Sequence, residues 1–218
     1  MEIAQENYLK IIYMVQIEQN AAVKAGQLAL ALRVSNAAVT DMLKKLADNG
    51  DIKYSKYKGV SLTPQGEQKG MTMVRRHRIW ELFLQKVVGL SWDQVHSEAE
   101  RLEHASSDEL VNRLEELMDY PSFDPHGDPI PSRKGCVPDQ GSLNLLSLKI
   151  GQAGIVKRVN DQSPALLQYL DHNNIGLGSV IIVKHIHLYD SSLEIEVNQI
   201  AITISEKVAK TIIVEKKF

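Results

Sequence analysis

Cysteine is nearly absent. Cys136 is the one thiol in 218 residues, so no intrachain disulfide can form and a reducing compartment is expected. Long apolar runs are missing as well: nothing approaches the roughly 20 consecutive apolar residues that span a bilayer. The opening MEIAQENYLK also lacks the basic-then-apolar order of a secretory leader. The chain is therefore expected to be soluble and cytoplasmic, with no membrane partner. There is neither an internal repeat nor a low-complexity tract. What is present is a 44% hydrophobic fraction, enough for buried cores in one large domain or two to three small ones.

The net charge of −2 conceals a division. Residues 1–78 hold 12 Lys/Arg against 7 Asp/Glu, residues 79–142 hold 5 against 13, and residues 143–218 hold 8 against 7. A basic head suits a polyanion and an acidic middle suits a cation, although either imbalance also describes an ordinary solvated face.

Periodicity organises the first half into helices. Leu9, Ile12, Tyr13 and Gln16 share a face over Glu6–Ile17. A short helix is expected at Ala25–Leu32, and another at Asn36–Asn49 with Ser35 as its cap, a Val39/Met42/Leu43/Leu46 stripe and Gly50 beyond it. IKYSKYKGVSLT reads as a hairpin. Thr63-Pro64 opens a long helix toward Val88 with Gly89 closing it, Ser91 is placed as the cap of a helix through His104, and Ser107 caps one to about Met118. The segment YPSFDPHGDPIPSRKGCVP holds five of the seven prolines and is expected to be an irregular connector. From Leu143 the pattern turns β: GIVKRV, SVIIVKHIHL, LEIEVNQIAITI and TIIVEKKF, with SPALLQYLDHNN as a single helix. The fold class is thus multidomain and mainly α: a winged helix-turn-helix (1–63), a helical dimerisation and metal-binding domain with its Pro-rich connector (64–142), and a small SH3-like β-barrel (143–218).

Two constellations carry chemistry. In a winged helix the segment from Asn36 enters the major groove, so Ser35, Asn36, Ala37, Ala38, Thr40 and Asp41 would face base edges. Lys44, and Lys53, Lys56 and Lys58 of the hairpin, would reach phosphate. The same pattern also fits a winged helix that binds protein. The second constellation is HRIWE with HSEAERLEH. His77 and Glu81 lie four apart, and His96, Glu100, Glu103 and His104 follow at four, three and one, so imidazoles and carboxylates gather on helix faces. Such donors suit divalent metals, and they also suit a wet surface.

The strings ENYLKIIY, VSNAAVTDMLKKL, KYKGVSLTPQGE, RRHRIWELFL, VHSEAERLEH and DPHGDPIP, in that order and followed by the β tail, resemble the diphtheria-toxin-repressor family of iron- and manganese-dependent regulators. The resemblance implies Mn(II) or Fe(II) as corepressor, two sites per subunit, a homodimer and a near-palindromic double-stranded operator controlling metal-homeostasis genes. It implies a bridging site of Asn7, Glu100, Glu103 and His104. Iron-type members have Met and Cys where this chain has Asn7 and Glu100, and Lys10 stands where shorter manganese regulators have a carboxylate. The second site takes His77 and Glu81, completed either by Asp124, His126 and Asp161 or, as in the iron-type arrangement, by His96. Asp124 replaces a cysteine, and Cys136 is expected to be a free thiol. Two other readings stand beside this one. A di-metal carboxylate enzyme on a helical bundle needs Glu-x-x-His on each of two helices, and this chain has no second copy. A metal-binding module without DNA affinity would differ from a repressor in a metal-dependent gel shift.

Overall fold

The computed structural model describes residues 2–55, 59–138 and 143–217. Two compact units divide the chain. The first comprises Met1–Trp80, Glu100–Leu117 and Ile130–Val137; the second comprises Glu81–Ala99, Met118–Pro129 and Pro138–Phe218.

In the first unit, α1 (Ile3–Gln19), α2 (Ala25–Leu32) and α3 (Asn36–Asp48) precede a hairpin of β1 (Ile52–Ser55) and β2 (Gly59–Leu62). Leu9, Ile12, Leu28, Val39, Leu43, Leu46 and Val60 are fully buried together, which is why the helical stripes of the sequence become a core. Gln16 completes its stripe differently: its side-chain oxygen accepts the Leu62 amide at 3.1 Å, pinning the hairpin to α1. The tight α2–α3 turn passes through Arg33 in the left-handed region. Ser35 Oγ then accepts the Ala38 amide at 3.2 Å and caps α3.

The long helix α4 (Pro64–Phe83) starts with proline in its first turn, and Thr63 Oγ1 accepts the Gly66 amide at 3.2 Å. Gly70 lets α1 approach closely, since a Cβ there would lie 2.6 Å from the Leu9 carbonyl oxygen. Leu84–Val88 continue as a π-helical turn that Gly89 ends with φ +86. Next come α5 (Val95–Glu103) and α6 (Asp108–Leu117), the latter capped by Ser107 Oγ on the Leu110 amide at 3.2 Å. Ser91 does not cap α5 as expected. Its carbonyl takes the Gln94 and Val95 amides and its hydroxyl bonds the Asp93 carboxylate, so a turn intervenes and the helix starts at Val95.

The second unit carries a six-stranded antiparallel sheet in the order β3-β8-β4-β5-β6-β7: β3 (Leu143–Asn144), β4 (Ala153–Val159), β5 (Val180–Ile186), β6 (Leu193–Val197), β7 (Ile200–Ile204) and β8 (Ile212–Lys217). Register shifts between Val156 and Arg158 and between Val183 and His185 bend β4 and β5. This is the small β domain expected, with α7 (Pro164–His172) over a core that includes Leu167, Leu170, Ile181, Val183, Ile195 and Val214. LEIEVNQIAITI proves to be two strands, because Asn198 and Gln199 both have positive φ and close a two-residue hairpin turn. A short helix missing from the sequence reading, α8 (Glu206–Thr211), is capped by Ser205 Oγ on the Val208 amide at 3.2 Å. Among the described residues no helix is long and apolar enough to cross a membrane.

Candidate metal centres and nucleic-acid interface

The start of α3 stands open to solvent. Ser35, Asn36, Ala37, Ala38, Asp41 and Lys44 are exposed, and Thr40 is half-buried with its hydroxyl donating to the Asn36 carbonyl at 2.9 Å. Lys44 Nζ is 3.8 Å from Asp41, an exposed pair too weak to lock either side chain. Lys53 is exposed on β1, while Lys56 and Lys58 lie outside the described residues.

Glu103, at the end of α5, is fully buried, and three side chains converge on it. His77 Nδ1 lies 2.5 Å from its Oε2, Lys10 Nζ donates to Oε1 at 2.6 Å, and His104 Nε2 is 3.3 Å from Oε1. Burial pushes this carboxyl up, but the His77 hydrogen bond and charge, followed by Lys10, outweigh it and hold the group below the usual carboxylate range. His104 Nδ1 meets Glu6 Oε2 at 2.6 Å. In the neutral ring that bond puts the proton on Nδ1 and turns the Nε2 lone pair toward Glu103, the posture of a histidine ligand held by a second carboxylate. Asn7 Oδ1 is buried with no hydrogen-bond partner, an orphaned acceptor that a cation would satisfy. Glu100 is largely exposed, with Oε1 3.7 Å from Lys10 Nζ.

Glu81 is the centre of the second cluster. Among the described residues, the ligand atoms of Glu81, Asp124 and His126 lie within 4.8 Å of one another and all three residues are buried. His126 Nε2 lies 2.8 Å from the Trp92 carbonyl oxygen. A carbonyl only accepts, so Nε2 carries the proton, and in the neutral ring the Nδ1 lone pair faces Glu81 Oε2 at 3.7 Å. Burial pulls this imidazole down, yet Glu81, Asp124 and the Trp92 carbonyl outweigh it and raise its pKa. His96 Nδ1 is 3.1 Å from Glu81 Oε1. Asp124 does double duty, since its Oδ1 also accepts the His126 and Asp128 amides at 2.8 and 2.9 Å. The proline-rich connector is thereby folded into a tight loop docked on β4, where the Val159 amide donates to the His126 carbonyl at 2.9 Å. Asp161 stands apart from this set and accepts the Ser163 amide at 2.9 Å ahead of α7. Cys136 is an exposed free thiol.

The donors of both clusters are carboxylates, an amide and imidazoles without sulfur, which fits a hard or borderline divalent ion. Sequence reasoning brought Glu81, Glu103 and the histidines forward. It missed Glu6 and the Trp92 carbonyl, which orient two imidazoles, because their partners are far along the chain.

A winged helix continuous with helices that bury His and Glu donors defines a metal-responsive DNA-binding regulator. Three family models agree: an iron-dependent-repressor N-terminal DNA-binding domain over residues 3–60, an iron-dependent-repressor metal-binding and dimerisation domain over 63–132, and a FeoA domain over 143–216. The manganese regulator MntR of Geobacillus kaustophilus is 33% identical over 54% of this chain and 82% of its own length. The iron-dependent repressor IdeR of Mycobacterium leprae is 31% identical over 66% of this chain and 64% of its own. The solved structure of a manganese-dependent transcriptional repressor in complex with manganese superposes with a TM-score of 0.90 at 33% identity, covering 98% of this chain and all of that one. The chain belongs to the iron-dependent-repressor family, whose members are metal-dependent transcriptional repressors and not enzymes.

Proposed function

We propose that this chain is a cytoplasmic homodimeric repressor of metal-homeostasis genes with Mn(II) or Fe(II) as corepressor, two ions per subunit, and a near-palindromic operator. Asn7, Glu100, Glu103 and His104 would hold the bridging ion. The second would take His77 and Glu81, completed either by Asp124 and His126 or by His96. The functional domains are taken as 1–63, 64–142 and 143–218. The observation that carries the reading is the buried Glu81–Asp124–His126 set, in which two carboxylates and one imidazole gather with their ligand atoms within 4.8 Å of one another. A buried arrangement of that kind calls for a cation.

A divalent ion at the bridging site would supply a charge-neutralising link between α1 and the end of α5. Asn7 stands on α1, which shares a buried core with α3, while Glu100, Glu103 and His104 stand on the dimerisation segment, so joining them would constrain the pose of α3. In a twofold dimer that pose sets the spacing of two recognition helices, which must match successive major grooves. Exposed Leu110 and Leu117 on α6 offer apolar surface for the second copy. Switches of this type carry a coupling of about 1–3 kcal/mol. The test is operator affinity at fixed salt, in chelator and across a panel of divalent ions. We expect at least a fivefold gain with Mn(II) or Fe(II); equal affinity with and without metal would overturn the reading.

A further inference from the structure

Lys10 is a buried lysine that the repressor mechanism does not use. Its side chain is 6% exposed, and its ammonium sits 2.6 Å from Glu103 Oε1 and 3.7 Å from Glu100 Oε1. It lies three residues after Asn7 on α1, so the two share a helical face. An orphaned acceptor and a cation that meets both carboxylates thus stand on one side of α1. An ammonium has three donors and no lone pair, so it neutralises Glu103 without being able to act as a ligand. It also occupies the oxygen to which His104 Nε2 is turned.

We propose that Lys10 is a tethered competitor for the bridging ion: its ammonium holds the Glu103 oxygen that a divalent ion needs, ties α1 to α5 in the ion-free chain, and raises the metal concentration at which the chain responds. This rests on the bridging site proposed above. The long flexible stem of lysine lets the charged end leave while α1 stays in place, so exchange of one cation for another needs no unfolding. The link between the two helices is then present in both states, held by a protein cation at low metal and by a divalent ion at high metal. The chain would answer only to concentrations able to displace its own ammonium.

The test is a calorimetric Mn(II) titration, with melting in chelator measured alongside, on the full-length parent, Lys10→Met and Glu103→Gln. Expected is a split in sign: Lys10→Met melts lower in chelator, because Glu103 loses its cation, yet takes up Mn(II) at the bridging site at least tenfold more tightly. Should Lys10→Met fail to fold, Lys10→Gln keeps a hydrogen-bond donor without the charge and is expected to shift in the same direction. A lower melting point with unchanged or weaker Mn(II) affinity makes Lys10 a structural neutraliser only and overturns the proposal. The site itself is checked by Glu103→Gln. If that variant loses one Mn(II) equivalent while the Lys10 variants titrate like the parent, the competitor role alone is wrong. If Glu103→Gln also titrates like the parent, the bridging site and the competitor fall together.

Discussion

Glu103 and Glu81 are both fully buried carboxylates, yet their surroundings answer the negative charge with different chemistry. Glu103 is bonded by a lysine ammonium at 2.6 Å as well as by His77. Glu81 faces the imidazoles of His96 and His126 at 3.1 and 3.7 Å. Imidazole is a cation in one protonation state and a metal ligand in the other, whereas ammonium is only a counter-ion. The contrast teaches that burying Glu and His together does not fix how a site meets metal. At Glu81 the neighbours are imidazoles, which offer lone pairs when neutral, whereas at Glu103 an ion would have to displace a charge.

The sharpest way to break this contrast is to remove the carboxylate that holds the lysine. Glu103→Ala leaves buried Lys10 with only the largely exposed Glu100 at 3.7 Å, and loss of one partner of a buried pair costs about 3–5 kcal/mol. Urea unfolding in chelator should show that loss, and metal-dependent operator binding should disappear. A loss under about 1 kcal/mol would mean that the ammonium is solvated in solution and that the two clusters are electrostatically alike.

The second cluster is predicted to fail through its loop. Gly127 has φ +87, and a Cβ there would fall 2.0 Å from the Lys157 carbonyl oxygen. Gly127→Ala therefore combines a left-handed backbone with a backbone clash, for a cost of about 3 kcal/mol. It should lower Mn(II) uptake at Glu81 while leaving uptake at Glu103 intact, as resolved by two-site titration. Loss at both would merge the clusters into one cooperative site. A smaller effect is expected from His126→Ala, which leaves the Trp92 carbonyl without its donor at about 1–2 kcal/mol in chelator and should delete one Mn(II) equivalent.

Much of this was legible in the sequence because helical periodicity is local. α2 falls where the apolar pattern put it, and Ser35 caps α3 as its residue type demands. His/Glu spacing on α4 and α5 also pointed to side chains that the fold gathers around Glu103 and Glu81. What periodicity cannot say is which neighbour crosses over. A helical wheel puts His77 and Glu81 on one face, and it does not say that His77 Nδ1 also meets Glu103. The contacts of Lys10 with Glu103 and of Glu6 with His104 close across 93 and 98 residues, beyond any local pattern. The break in LEIEVNQIAITI was hidden because Asn-Gln is a weaker turn signal than Asn-Gly. The helix α8 was hidden because a six-residue element between strands carries too few turns to show a period.

The smallest predicted effect probes how the Glu81 cluster leans on the protein surface. Its imidazole is oriented by the Trp92 carbonyl, and that carbonyl sits in the turn before α5. The turn is held by Asp93, whose Oδ2 accepts the Gln168 side chain on α7 at 2.8 Å. Hydrogen bonds from Ser91 and then Gln168 lower the Asp93 pKa below its ordinary value. A depressed carboxylate contributes stability that is present above its unfolded pKa and lost as pH falls through its folded one. Because Asp93 is half-exposed, solvent screens the contribution to about 0.5 kcal/mol or less. Gln168→Ala should therefore reduce stability slightly at neutral pH, and parent and variant should converge below the carboxylate range, in melts followed from pH 7 to pH 3. If the turn positions Trp92, the variant should also bind Mn(II) at the Glu81 cluster measurably more weakly, with binding at Glu103 unchanged. Equal affinities would show that Asp124 and the docked loop orient His126 without help from this anchor, leaving the second cluster as self-contained as the first.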